Sequence, residues 1–305
     1  MTPEERSEMR RHRSERMTIA AGFNCRDGIV LASDTLYSGV NKRYDRKLWA
    51  LPTKNGATIA LAGSGNAVLI RRARDEIGEQ LEAQDATVRQ VDARQIVDGV
   101  LYSLLHKYKH DAEDFPLSLL VAVRTADGCA LYESDGNAVL GKVDKPASCI
   151  GWGASLGLYV ADFLYASHMS TKWASIVAAH LIGLAKTYAA DCGGDTHLLF
   201  LPLVGEPALM LDQRTIASLE AHVSELHNAI RLVLPSDAGI NDDTLIARFV
   251  TLKSTIQRLQ HSFSTNAGTD HLGLTGHVPI VSVTNQADTP LTLGSNQSSE
   301  DQEDQ

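Results

Sequence analysis

The chain has 305 residues, of which 44% are apolar and 21% charged, a globular composition that excludes a disordered, collagen-like or disulfide-scaffold protein. Lys and Arg number 28 against 37 Asp and Glu, a net charge of -9, which disfavours an electrostatic grip on nucleic acid or on anionic lipid. No run approaches the roughly 18 apolar residues of a membrane span, and residues 1–16 lack the apolar core of a secretory signal, so a cytoplasmic protein is expected.

Residues 1–17 alternate Arg with Glu and read as a polar extension or propeptide. The first strong signal is a hairpin: apolar 18–24, an Arg26-Asp27-Gly28 turn, then 29–34. After a polar stretch, 57–62 (ATIALA) reads as a buried strand, and Gly63-Ser64-Gly65-Asn66 leads into a helix running to about Leu81. A second helix places Val97, Val100, Leu101, Leu104 and Leu105 on one face. The theme then repeats. Strands at 117–124 and 130–133 flank an Ala126-Asp127-Gly128 turn, with a further strand near Cys149; helices follow over 154–166 and around Trp173 to Tyr188, and strands near 197–202 and 208–211 close the region. Tight turns between paired strands, with helices arriving two at a time, predict an α+β fold. Its expected form is a four-layer αββα sandwich of two antiparallel sheets between helix pairs, over 18–212.

Beyond it, Ile216, Leu219, Val223, Leu226 and Ile230 recur at steps of three and four. The same rhythm returns in Leu245, Phe249, Leu252, Ile256, Leu259 and Phe263 after a break at 235–243. This predicts a helical hairpin over 213–265 with an apolar seam, and the shortness of each run favours a helix pair packed on its own domain over an intermolecular coiled coil. Residues 266–305, polar and acidic, read as a mostly disordered tail.

Several motifs are weighed and set aside. Gly151-Trp152-Gly153 opens a helix but misses the glycine spacing of a dinucleotide site. His106 and His110 share a helix face without the Glu or third ligand of a zinc site. Gly63-Ser64-Gly65 is too short for a nucleophile elbow. The four cysteines are far apart with no CxxC pair, and read as core thiols. No cofactor and no metal is expected.

In order, the chain supplies Thr18, Asp27-Gly28, Ser33-Asp34, Lys47-Leu48 and Ala62-Gly63-Ser64. This series resembles the proteasome β subunit and the related bacterial proteasome-like N-terminal nucleophile (Ntn) hydrolases. The resemblance implies a threonine-type peptidase in which Thr18, freed as the N-terminus, is the nucleophile and its own α-amine the base, since a free α-amino group has a reference pKa of about 7.7 to 8.0. It further implies that Lys47 favours the ionised hydroxyl, that Asp34 holds the Lys47 ammonium, and that the Gly63 N–H receives the oxyanion. Leu61 falls where the family shapes its primary specificity pocket, and Ser38 is carried over as substrate-binding. Two departures stand out. Trp152 occupies the place of a supporting Ser, and in Tyr188-Ala189-Ala190-Asp191-Cys192-Gly193-Gly194 Cys192 takes a Ser place and Ala189 an Asp place, so Asp191, carried over as catalytic, substitutes for that Asp only if the loop shifts.

Residues 1–17 must leave for Thr18 to carry a free amine, either by self-cleavage at Met17-Thr18 or because Met17 is the initiator. The resemblance implies a homo-oligomeric ring, peptide or unfolded-protein substrates, possible service to an ATP-dependent unfoldase, and no nucleic-acid or membrane partner. Two rivals remain: a noncatalytic ring subunit that keeps residues 1–16, and a small-amide amidohydrolase of the same superfold.

Overall fold

The computed structural model describes residues 18–37, 43–54, 56–84, 87–108, 117–135, 139–166, 169–204, 207–233 and 242–265. The expected extension 1–17, the tail 266–305 and Ser38 lie outside the described residues.

Two five-stranded antiparallel sheets face each other. The first is built from β1 (Ile19–Cys25), β2 (Gly28–Asp34), β10 (Ala147–Gly151), β11 (Thr196–Pro202) and β12 (Leu209–Met210), in the order β10-β1-β2-β11-β12. The second has the order β5-β6-β7-β8-β9, from β5 (Leu48–Pro52), β6 (Thr58–Gly65), β7 (Leu117–Thr125), β8 (Gly128–Asp135) and β9 (Gly141–Lys142). A short ribbon of β3 (Leu36–Tyr37) and β4 (Arg43–Tyr44) stands apart. The polar stretch after Asp34 thus conceals β5, which carries Leu48 and Trp49 into the interior.

Strand alternation makes both faces of each sheet apolar, and three cores result. Ala20, Ile29, Leu31, Leu48, Ala60, Leu120 and Leu199 fill the space between the sheets. Ile59, Leu61, Val121 and Val123 pack the outer face of the second sheet against α1 (Ala67–Glu82) and α2 (Gln90–Tyr108), through Ile70, Ile77, Val97 and Leu101. Ile19, Phe23, Val30 and Leu198 pack the outer face of the first sheet against α3 (Ala154–Leu164) and α4 (Thr171–Tyr188), through Val160, Leu181 and Ile182. The expected αββα sandwich is what forms. Asn66 starts α1 where the sequence changes period, its side chain accepting from the Val68 and Leu69 amides.

Two further helices follow, α5 (Gln213–Val233) and α6 (Asp242–Thr265), in contact with each other. Their apolar residues are divided between the sandwich and the helix pair. Ile216 and Leu219 on α5 join the core of the first sheet instead of facing only α6. On α6, Phe249 and Ile256 are exposed while Thr255 is buried. The helix is turned so that Arg258 pairs with Glu225 of α5, which brings the Leu252/Thr255 side inward and leaves Ile246, Phe249 and Val250 outward. Among the described residues no helix is long and apolar enough to cross a membrane.

Candidate active site

Three polar side chains meet at one end of the facing sheets. Thr18 immediately precedes β1, Asp34 ends β2, and Lys47 immediately precedes β5. All are buried, with Asp34 and Lys47 at 0% exposure and Thr18 at 1%. The β1–β2 register pairs Ala20 with Ser33, so the hairpin closing at Asp27-Gly28 brings Thr18 beside Asp34 from 16 residues away. The packing of β5 across from β2 delivers Lys47 from the other sheet.

The Thr18 hydroxyl donates to Asp34 Oδ1 at 2.5 Å and accepts from Lys47 Nζ. Lys47 Nζ also donates to Asp34 Oδ1 at 2.5 Å and to the Leu36 carbonyl at 2.5 Å, and sits 4.7 Å from the centroid of the Tyr37 ring. Asp34 receives further support: the Ile19 amide donates to Oδ1 at 3.3 Å and the Gly193 amide to Oδ2 at 2.9 Å. A buried ion pair is stable only when such extra hydrogen bonds satisfy its remaining donors and acceptors, and here both partners are saturated.

Burial pushes the Lys47 ammonium below its ordinary value, and the Asp34 carboxylate opposes that push. The result is a cation whose proton is held less tightly than in water, in contact with a hydroxyl. Burial, reinforced by the Asp34 carboxylate, pushes the nearby Cys192 thiol up to about 12, so it remains a thiol and does not compete as a thiolate nucleophile.

The remaining sequence-derived residues fall differently. Leu61 is buried in the apolar cluster between the second sheet and its helices, as the cross-strand partner of Trp49. Asp191 lies in the loop between α4 and β11; the loop's hold on Asp34 comes from the Gly193 amide instead. Gly63 needs a correction. Its N–H, expected to stand free for an oxyanion, donates to the Lys47 carbonyl at 3.1 Å, because the β5–β6 pairing continues one residue past Leu48 and Ala62. The lack of a side chain at Gly63 is explained by α1: a Cβ there would come within 2.5 Å of Ile70 Cγ2.

Sequence reasoning passed over Ser64, weighing it only as a failed elbow nucleophile. It is buried, and a Cβ on Gly151 would meet both its Oγ, at 2.5 Å, and the Thr18 carbonyl oxygen. Ser64 therefore brings a hydroxyl to the neighbourhood of the Thr18 backbone, while Trp152, in the position of the expected Ser, is 46% exposed. The signal was spacing: Ser64 directly follows Gly63 within β6. Gly151 itself has φ +93°, so Gly151→Ala is expected to combine left-handed strain with a clash against Thr18. We expect a stability loss of about 1–3 kcal/mol, read by thermal or urea melts; a melt matching the parent would contradict the close approach.

Residues 15–195 match the proteasome subunit family. The chain belongs to that family. No curated protein is matched by sequence. Among solved structures, this proteasome-family chain is similar to Anbu (ancestral beta-subunit) from Yersinia bercovieri, with TM-score 0.64 and 16% identity over 73% of this chain and 100% of that one. It is similar to the Anbu complex from Pseudomonas aeruginosa, described as a helical assembly, with TM-score 0.61, 17% identity, 73% of this chain and 99% of that one. An Anbu mutant from Hyphomicrobium sp. strain MC1 gives TM-score 0.58, 18% identity, 72% and 100%. At these identities the likeness is one of fold. Among the described residues no cluster of His, Cys, Asp or Glu could hold a metal ion.

Proposed function

We propose that the chain is a threonine-type peptidase whose nucleophile is Thr18 Oγ1. The observation that carries this reading is a buried hydroxyl bonded at once to a buried cation and a buried anion, Lys47 and Asp34. Removal of residues 1–17 would give Thr18 an α-amine close to its own hydroxyl. The amine takes the Oγ1 proton as Oγ1 attacks the peptide carbonyl, and Lys47 lowers the cost of the developing alkoxide. The amine then returns the proton to the leaving nitrogen, and water hydrolyses the acyl ester. For Gly63 to receive the oxyanion, its amide must exchange the Lys47 carbonyl for the substrate oxygen. Leu61 would shape the apolar pocket for the side chain before the cleaved bond, Asp191 would serve the catalytic group if its loop shifts, and Ser38 would bind substrate. We place the enzyme in the cytoplasm, in a homo-oligomeric ring with peptides or unfolded chains as substrates, supplied where needed by an ATP-dependent unfoldase.

The engaged Gly63 amide favours a second reading, a noncatalytic subunit of such an assembly. One experiment separates the two: intact mass and N-terminal sequence of the protein from its native organism, followed by acylation with a β-lactone and peptide mapping. A chain beginning at Thr18 and acylated there supports the peptidase. A chain that retains residues 1–17 leaves Thr18 without its base, and the noncatalytic reading then stands.

A further inference from the structure

The loop joining α4 to β11, residues 189–195, holds the site from behind. Its Gly193 amide donates to Asp34 Oδ2 at 2.9 Å, its Gly193 carbonyl accepts from the Thr35 and Leu36 amides at 3.2 and 3.0 Å, and its Asp195 amide donates to Thr35 Oγ1 at 2.8 Å. The two ends of this loop meet at a single carboxylate from outside the sandwich. Glu220, on α5, accepts at Oε1 from Lys186 Nζ at 2.8 Å and from Thr196 Oγ1 at 2.6 Å. Lys186 lies in the last turn of α4 and Thr196 opens β11, and they are also bonded to each other, Lys186 Nζ to Thr196 Oγ1 at 2.8 Å. Thr196 is 1% exposed and is the cross-strand register partner of Asp34. A second α5 side chain, Gln213, donates to the Thr196 carbonyl at 3.1 Å.

We infer that Glu220 is a positioning residue for the Thr18 site: it clips together the base of the 189–195 loop and so fixes the Gly193 amide on Asp34. The inference rests on the reading of Thr18, Asp34 and Lys47 as the reacting group. It makes the first helix after the sandwich a working part of the site. The chemistry is local. A charge-assisted acceptor shared by Lys186 and Thr196 sets the span between the loop's two ends, and without it the Lys186 ammonium and the Thr196 hydroxyl lose their common partner. Asp34 would then lose the donor on Oδ2, leaving the Lys47 ammonium opposite a less firmly oriented carboxylate.

The test uses the full-length protein and its Glu220→Ala and Glu220→Gln variants, with two readouts. The first is backbone hydrogen exchange at Gly193 and Asp195, which does not depend on catalysis. Loss of one or two charge-assisted bonds is expected to speed exchange at both amides by about tenfold or more in Glu220→Ala. Glu220→Gln keeps an acceptor oxygen for both donors and is expected to restore protection. The second readout is the rate and pH profile of Thr18 acylation by the β-lactone, expected to fall by a similar factor in the Ala variant with a displaced profile, and to recover in the Gln variant. Unchanged exchange in Glu220→Ala would overturn the clip. Faster exchange with an unchanged acylation rate would make the clip structural only and overturn the positioning role. An unreactive parent protein would defeat the nucleophile reading, while the exchange comparison would still decide the clip.

Discussion

Asp34→Ala is expected to lower stability by about 3–5 kcal/mol, because it leaves the fully buried Lys47 ammonium without its anion. The same change should abolish Thr18 acylation. Denaturant melts measure the first effect and mass spectrometry of the lactone-treated protein the second. Replacing the pair together, as Asp34→Leu with Lys47→Met, removes both charges from an interior that would otherwise have to solvate one of them. A double apolar replacement of this kind regains much of the lost stability, so the double variant should melt above Asp34→Ala while remaining inert towards the lactone. That divergence separates chemistry from folding. If the double variant is as unstable as the single one, the ion pair organises the strand ends beyond balancing its own charge; if it is still acylated, Thr18 does not depend on Lys47 and the proposed mechanism fails.

The sign of the pH effect follows from the direction of the Lys47 shift. Folding holds this ammonium below its ordinary value, so below the folded value the group is charged in both states and its burial penalty is carried in full. As pH rises from the folded value towards the unfolded one, the unfolded chain binds more protons than the folded chain, and the contribution of Lys47 to stability improves. Lys47→Met should remove that rise, which comparison of urea melts across the alkaline range would detect.

Thr18, Asp34 and Lys47 could be read from sequence because each sits where a regular strand begins or ends, and strand ends are marked by short local signals such as the Asp27-Gly28 turn. Lys47 stood out only by order and spacing; its strand, β5, was passed over because five residues ending at Pro52 are too short to show an alternation within an otherwise polar stretch. Gly63 was expected at a strand end but lies inside β6, which runs on to Gly65; whether its amide is free depends on the neighbouring strand, and the register of β5 on β6 is not written in either segment alone. Ser64 and Glu220 were missed for a related reason. Each acts through a partner far along the chain, Ser64 near Gly151 and Glu220 on Lys186 and Thr196. The heptad rhythm after residue 213 located both helices but not their facing. A repeat of apolar residues says that a helix has an apolar stripe, and cannot say whether a helix partner or a sheet covers it.

That last ambiguity leads to a large expected effect. A chain ending at Asp212 would keep every strand and helix of the sandwich, yet it would lose Ile216 and Leu219, which are 1% and 4% exposed in the core of the first sheet. Truncating either side chain to Ala would cost about 2–5 kcal/mol, and their joint loss approaches the whole stability of an ordinary domain, about 5–15 kcal/mol. The shortened chain is therefore expected to be insoluble or to melt at least about 10 °C lower. A chain ending at Val233 keeps α5, with Ile216, Leu219 and Glu220, and removes α6, whose Ile246, Phe249 and Val250 face outward, together with residues 234–241 and 266–305. It should melt close to the parent and react with the lactone at a comparable rate. Its mass in solution, measured by light scattering, then tests the part of the hairpin that the core does not use: loss of oligomers in a well-folded chain assigns α6 to assembly, and retention of them removes that role. If instead the chain ending at Asp212 folds, melts and reacts like the parent, α5 is an appendage and the coupling between Glu220 and the Thr18 site fails with it.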